Sequence, residues 1–287
     1  MSRAVVHRTR GYGHGPIVRL VSTSDLGESL KPFVFLDLFE ADMRELAGSM
    51  PVHPHSGIAT VTVITEGDVA FDHPQRGHGT IGYGGVESVL AGRGMWHGKE
   101  LSAGTSTKIQ GFQLWVALPP DMENAEPEAQ YFGSEKIPTI GPARLIVGAY
   151  LGVRSPIRVP PGINYLLVTV KPGERWTYEP PSGHVLALVA ISKGALSVGE
   201  RLSQGELAIF EKSEVPTTFE GAGSADATFV LGSAVPHPYP LHLGSYSVHT
   251  SAEALAAGEH HIRELKQRLD AAGDRRTAAG SIPVFRG

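Results

Sequence analysis

Cysteine is absent from this 287-residue chain, and that one absence excludes disulfides, thiol nucleophiles, thiolate zinc sites and thiol-based redox sensing. Any redox chemistry must use a metal or cofactor. Net positive charge is lacking too. The 25 Lys and Arg stand against 29 Asp and Glu, a formal charge of -4, which argues against direct binding of nucleic acid. No stretch approaches the roughly 18 apolar residues of a membrane span, and the opening MSRAVVHRTRGYGHG lacks an apolar block followed by a cleavage site. A cytoplasmic protein without membrane contact is expected.

What the chain has in quantity is turn formers. Its 35 Gly and 21 Pro are dispersed between short Val/Ile/Leu/Thr runs, which implies many short strands and tight turns. Strands are expected at Ile17–Val21, Phe33–Leu38, Ala59–Thr65, Val86–Leu90, Phe112–Ala117, Ala143–Val147, Tyr165–Val170, Val185–Ile191, Leu207–Phe210 and Thr228–Leu231. No regular helical pattern separates them, so the class is all-β, with sandwiches or barrels rather than a parallel sheet. One helix is expected near the C-terminus. Thr250 can cap it, Glu253 has capping-box spacing, and Ile262, Leu265 and Leu269 recur at helical intervals beyond Gly258. It reads as a surface helix packed on a barrel.

A chain of this length usually divides its core in two. Pro119-Pro120 and the acidic segment after it mark a crossover. The expected division is 1–125 for an N-terminal barrel, 126–142 for the linker, 143–240 for a C-terminal barrel and 241–287 for a tail with the helix.

His53-Pro54-His55 is the most informative tripeptide. On a strand, residues i and i+2 share a face about 6.5–7 Å apart, near enough for both imidazoles to reach one divalent ion. After 42 more residues the turn Gly92-Arg93-Gly94 delivers His97 where a returning strand should begin. Gln113 could point into the first barrel toward a metal-bound water or substrate, or be a buried structural amide. His73 and His78 fit a hairpin loop. His184 is the one histidine among the second barrel's strands and has no His or Glu companion at i+2, so no second metal is expected. His237, His260 and His261 read as solvated tail residues. The glycines of Arg10–Gly15 lack the strand and helix that a phosphate loop needs.

The segments HPHSGIATVTVITEG (53–67), AGRGMWHGKE (91–100) and GFQLWVALP (111–119), with Lys31–Asp37 before them, resemble the signature of the pirin family, bicupins of two tandem β-barrels. The likeness is strong over residues 30–120. It implies two cupin-type barrels and one mononuclear metal, most often iron, in the first. The implied ligands are His53, His55, His97 and a glutamate two residues beyond the third histidine. That glutamate position is Lys99 here, and Glu100 follows. Glu100 can ligate, and serve as general base, only if the strand bulges or turns at Gly98. A three-histidine site completed by water and a metal-free site are the alternatives. Ser56 and Ala59 replace an arginine and a glutamate usual in the family, which would widen or neutralise the pocket mouth.

Several bacterial pirins are quercetin 2,3-dioxygenases, so the resemblance implies a metal-dependent dioxygenase acting on a flavonol-like small molecule. Fe(II) is the expected metal, while Mn, Ni, Cu and Zn accept the same donors. Eukaryotic members act as iron-dependent transcription cofactors and bacterial ones bind metabolic enzymes. A non-catalytic regulator with a protein partner is therefore a second reading, and a metal-free small-molecule-binding cupin is a third.

Overall fold

A computed structural model describes residues 3–42, 52–73, 77–98 and 101–271. Within them, short antiparallel strands form two barrels followed by one long helix, Ala252–Ala271. Each run expected as a strand overlaps one. The first barrel is built on a seven-stranded sheet in the order Glu128–Phe132, Val86–Leu90, Ile58–Glu66, Lys108–Ala117, Phe33–Asp42, Ile17–Val21, Tyr12–His14. Two smaller sheets complete it. One contains Leu101–Ala103, Val69–His73 and Gly77–Ile81, and the other pairs His53–His55 with Met95–His97.

The second barrel repeats the plan. Its seven-stranded sheet runs Val5–Thr9, Leu207–Phe210, Leu186–Lys193, Ala227–Ala234, Ile163–Val170, Ala143–Val147, Thr139–Ile140, and a four-stranded sheet completes it. The N-terminal strand thus departs from the expected 1–125 division. Val5–Thr9 pairs with Leu207–Phe210 of the second barrel, and the buried Arg3 guanidinium donates to the carbonyls of Val185 and Glu211. That pairing covers an edge whose backbone groups would otherwise stand open. Nothing local in Val-Val-His-Arg-Thr says which sheet it will join.

The two large sheets pack against each other, and this explains runs such as Ile58–Glu66 that are buried along nearly their whole length. Ala59, Val61 and Val63 face the other barrel and share one apolar cluster with Leu167, Leu188 and Val230. Their neighbours Thr62 and Ile64 face the lumen of their own barrel. A strand buried on both faces loses polar–apolar alternation. Full burial of a Val- or Leu-sized side chain is worth about 1.5–3 kcal/mol, so the shared layer is a major source of stability. The second barrel fills its interior with a separate cluster that includes Tyr178, Phe219 and Phe229.

The helix packs on the first barrel, where Ile262 is buried and its carbonyl accepts from the Trp96 indole at 3.0 Å. The helix is capped one residue later than expected. Ser251 Oγ accepts from the Ala254 amide at 3.1 Å, because Thr250 is held elsewhere: its amide and hydroxyl both donate to Glu123. Among the described residues no helix is long and apolar enough to cross a membrane.

Candidate metal centre

His53–His55 and Met95–His97 form a two-stranded antiparallel ladder with His97 opposite His53 and Met95 opposite His55. Strand alternation puts His53 and His55 on one face, and the register sets His97 beside them. The ring centroids are 4.9 Å apart for His53 and His55, 4.6 Å for His53 and His97, and 5.0 Å for His55 and His97. One ring nitrogen from each lies within 4.8 Å of the others. Pro54 faces Trp96 in this short ladder, a setting that tolerates a residue without an amide hydrogen. Gly92, at φ +50°, is required in the preceding turn because a Cβ there would fall 2.1 Å from the Ala125 carbonyl oxygen.

Two of the three rings are buried and His53 is partly so. His55 and His97 are removed from solvent, and among the described residues the Nε2 atom of each has no hydrogen-bond partner. Burial is the main cause that holds both well below the usual histidine range, and the neighbouring imidazoles add to it. Both rings are therefore neutral at pH 7, the state in which a nitrogen lone pair can reach a metal. His55 Nδ1 lies 3.3 Å from the Tyr246 carbonyl oxygen. A carbonyl only accepts, so the hydrogen sits on Nδ1 and Nε2 is left as the ligand atom. The neutral rings of His55 and His97, with Nε2 atoms that no hydrogen bond claims and with His53 beside them, fit a borderline transition metal.

Lys99 and Glu100 lie outside the described residues. The strand ends at His97, and Gly98 follows at φ +130°, a backbone region that favours glycine.

Beneath the ladder runs a buried polar chain. Ser56 Oγ is 2.9 Å from His249 Nε2, His249 Nδ1 is 3.2 Å from Glu123, and Glu123 also accepts from the Thr250 amide at 2.7 Å and hydroxyl at 2.6 Å. Gly258 of the helix closes over it, since a Cβ there would lie 2.7 Å from both His249 Nε2 and Ser56 Oγ. These residues fasten the C-terminal segment to the strand that carries His55.

The histidines open onto a cavity of about 750 Å³ inside the first barrel, within the usual range for small-molecule sites. Phe35 and Trp115 are stacked at 4.1 Å on its wall. Trp115 meets His55 edge-on at 4.9 Å, and Tyr246 adds a third ring. Arg19 lies over Phe35 and forms a two-point ion pair with the buried Asp37, at 3.0 and 3.1 Å. Burial raises the Asp37 carboxyl, and Arg19 opposes that rise.

Gln113 lines the cavity, as its strand position suggests. Ser56 and Ala59 do not, contrary to the expected effect on the pocket mouth: Ser56 bonds His249, and Ala59 faces the other barrel. His73 and His78 sit on the two strands of the expected hairpin and away from the cavity. His184 is buried, with Nδ1 3.2 Å from Ser233 Oγ. His237 is also buried, not solvated, and packs edge-on to Tyr239. His260 and His261 are on the helix beside Glu264. Arg19, Asp37, Tyr246, Glu123 and His249 escape sequence reasoning as a group. Asp37, a charge inside an apolar strand, gave the one visible signal.

Two tandem barrels, the first with a histidine cluster opening onto its lumen, have the cupin-type fold. The pirin family model matches residues 16–116. A Pseudomonas aeruginosa protein named "Putative quercetin 2,3-dioxygenase" is 26% identical over 239 residues, 78% of this chain and 82% of that protein. A pirin-like protein of Solanum lycopersicum is 29% identical over 273 residues, 89% of this chain and 88% of that one. In fold, the crystal structure of quercetin 2,3-dioxygenase from Acinetobacter baumannii matches with a TM-score of 0.77 at 23% identity, over 93% of this chain and 98% of the other. Over residues 16–116, in its first barrel, the chain carries a pirin domain.

Proposed function

We propose that this chain binds one divalent transition metal through His53, His55 and His97 and acts as a dioxygenase of the quercetinase type on a flavonol-like substrate. The observation that carries the reading is the pair of buried, unpartnered Nε2 atoms of His55 and His97, set with His53 at an aromatic-walled cavity. The name of the Pseudomonas relative supports the substrate class. Fe(II) is the metal we favour. When bound, such an ion supplies Lewis acidity toward a substrate hydroxyl and redox access to dioxygen.

The protein's own contribution follows from its geometry. Burial keeps His55 and His97 uncharged, and the Tyr246 carbonyl fixes which His55 nitrogen faces the centre. Phe35 and Trp115 offer a flat apolar face to an aromatic substrate and exclude water from it. Glu100 is proposed as fourth ligand and as the base that takes the substrate's hydroxyl proton. Gly98 at φ +130° supports that role, because it is a departure from regular strand backbone at the position where the role requires one.

Full-length protein purified without chelators, loaded with Fe(II) anaerobically and then given quercetin and oxygen should consume the flavonol, read as loss of its absorbance. Turnover should fall at least about 100-fold in His53→Ala, His55→Ala and His97→Ala, the scale of losing a ligand. Less than about a tenth of an equivalent of any transition metal after reconstitution would overturn the reading. Glu100→Gln should keep most of the metal and lose most of the rate.

A further inference from the structure

The lumen of the first barrel is layered. Phe35 and Trp115 form an aromatic layer beside the histidines. Two residues further along the same strands, the layer changes character. Arg19 is in register with Asp37, Asp37 with Gln113, Gln113 with Thr62, and Thr62 with Glu87. All five line the cavity. They form one unbroken polar row across five adjacent strands, with cross-strand neighbours about 4.5–5.5 Å apart. Two residues further again the lining is apolar, with Ile17, Phe39 and Ile64, and Ile81, Val69 and Ile109 close that end.

A polar belt between two apolar layers is costly unless something uses it, since a buried polar group without a partner costs about 1–3 kcal/mol. Arg19 and Asp37 satisfy each other at one end. The middle of the belt is different: the Thr62 hydroxyl is buried with no hydrogen-bond partner among the described residues. The belt also lies at a fixed distance from the aromatic layer. Gln113 is two strand residues from Trp115, which is roughly 7 Å along the barrel.

We infer that Thr62, Gln113 and Glu87 form a second recognition point, which selects flat aromatic ligands bearing a hydroxyl or similar hydrogen-bonding group beyond the part that lies on Trp115, roughly 7 Å further along the barrel. The inference rests on the flavonol reading and deepens it by naming what discriminates between ligands that share the same chelating edge. Thr62 and Gln113 supply hydrogen-bonding groups, and Glu87 accepts from a ligand hydroxyl. A ligand with the edge alone leaves the Thr62 hydroxyl unpaired, and such a loss produces strong discrimination.

The test compares quercetin with 3-hydroxyflavone, which keeps the hydroxy-ketone edge and has no other hydroxyl. Binding to iron-loaded, full-length protein is measured without oxygen by quenching of tryptophan fluorescence, and iron content is measured in parallel. Quercetin should bind wild type at least about ten-fold more tightly than 3-hydroxyflavone. In Thr62→Val and in Gln113→Leu that ratio should fall at least about five-fold, with 3-hydroxyflavone affinity and iron content unchanged. Thr62→Ser should keep the ratio. Thr62→Val is close to isosteric and decides the matter if Gln113→Leu fails to fold. Equal binding of the two flavonols to wild type, or a ratio that survives Thr62→Val, overturns the belt and leaves the flavonol reading standing. Failure of wild type to bind either flavonol overturns both.

Discussion

His55 Nδ1 and the main-chain oxygen of Tyr246 lie 3.3 Å apart across 191 positions of sequence. The contact fixes the tautomer of an imidazole in the first barrel from a segment that follows the second. The C-terminal segment is thereby part of the metal centre's support, and the same dependence appears in the chain Ser56–His249–Glu123–Thr250.

Removal of the His55 ring should separate metal binding from folding. His55→Ala is expected to abolish stoichiometric metal binding while the far-ultraviolet circular dichroism of the barrels is retained, because a strand-end imidazole adds less to the core than an interior Val. Metal analysis after reconstitution checks it, and a full equivalent of metal in the variant would sink the assignment of His55.

Glu123 should matter more than its place in an acidic linker suggests. Its carboxylate is buried and accepts from the Thr250 amide, the Thr250 hydroxyl and the His249 ring. Glu123→Ala strands three donors, and a loss of about 3–5 kcal/mol is expected. Urea unfolding monitored by fluorescence measures it, with an effect under about 1 kcal/mol contradicting the structural role.

Gly57 is where the segment carrying His55 meets the C-terminal strand. It has φ +71°, and a Cβ would fall 2.0 Å from the Val248 carbonyl oxygen. Gly57→Ala should cost about 2–4 kcal/mol, from the backbone region and the clash together, as read from its urea midpoint. Weaker metal retention should accompany it, since Val248 and Tyr246 belong to one short segment.

Acid should destabilise the protein before its carboxylates titrate. Burial, the largest cause in every case, lowers His55, His97, His184, His237 and His249 below the ordinary histidine value. Each is therefore neutral in the folded state at a pH where the unfolded chain binds a proton. Stability is fully present above about pH 6.5 and falls as pH drops below it, by at most about 1.4 kcal/mol per pH unit for each histidine. Unfolding in urea at about pH 8, 6.5 and 5, with chelator present, should show a flat region and then a decline of several kcal/mol. A midpoint constant down to about pH 5 would contradict the burial of these rings.

The sequence by itself determined the all-β class, because Gly and Pro punctuation and short β-branched runs are local properties. It also put His53 and His55 on one face through period-two alternation, whereas the meeting with His97 depends on a pairing between strands 42 residues apart. Asp37 could be noticed in its strand, but its partner could not. Only the tertiary structure decided that Arg19 pairs with it, that Val5–Thr9 crosses to the second barrel, that Thr250 serves Glu123 rather than the helix, and that Tyr246 orients His55. Each of these is a contact between segments far apart in sequence, where many partners satisfy the same local chemistry. Register and packing of the whole fold choose among them.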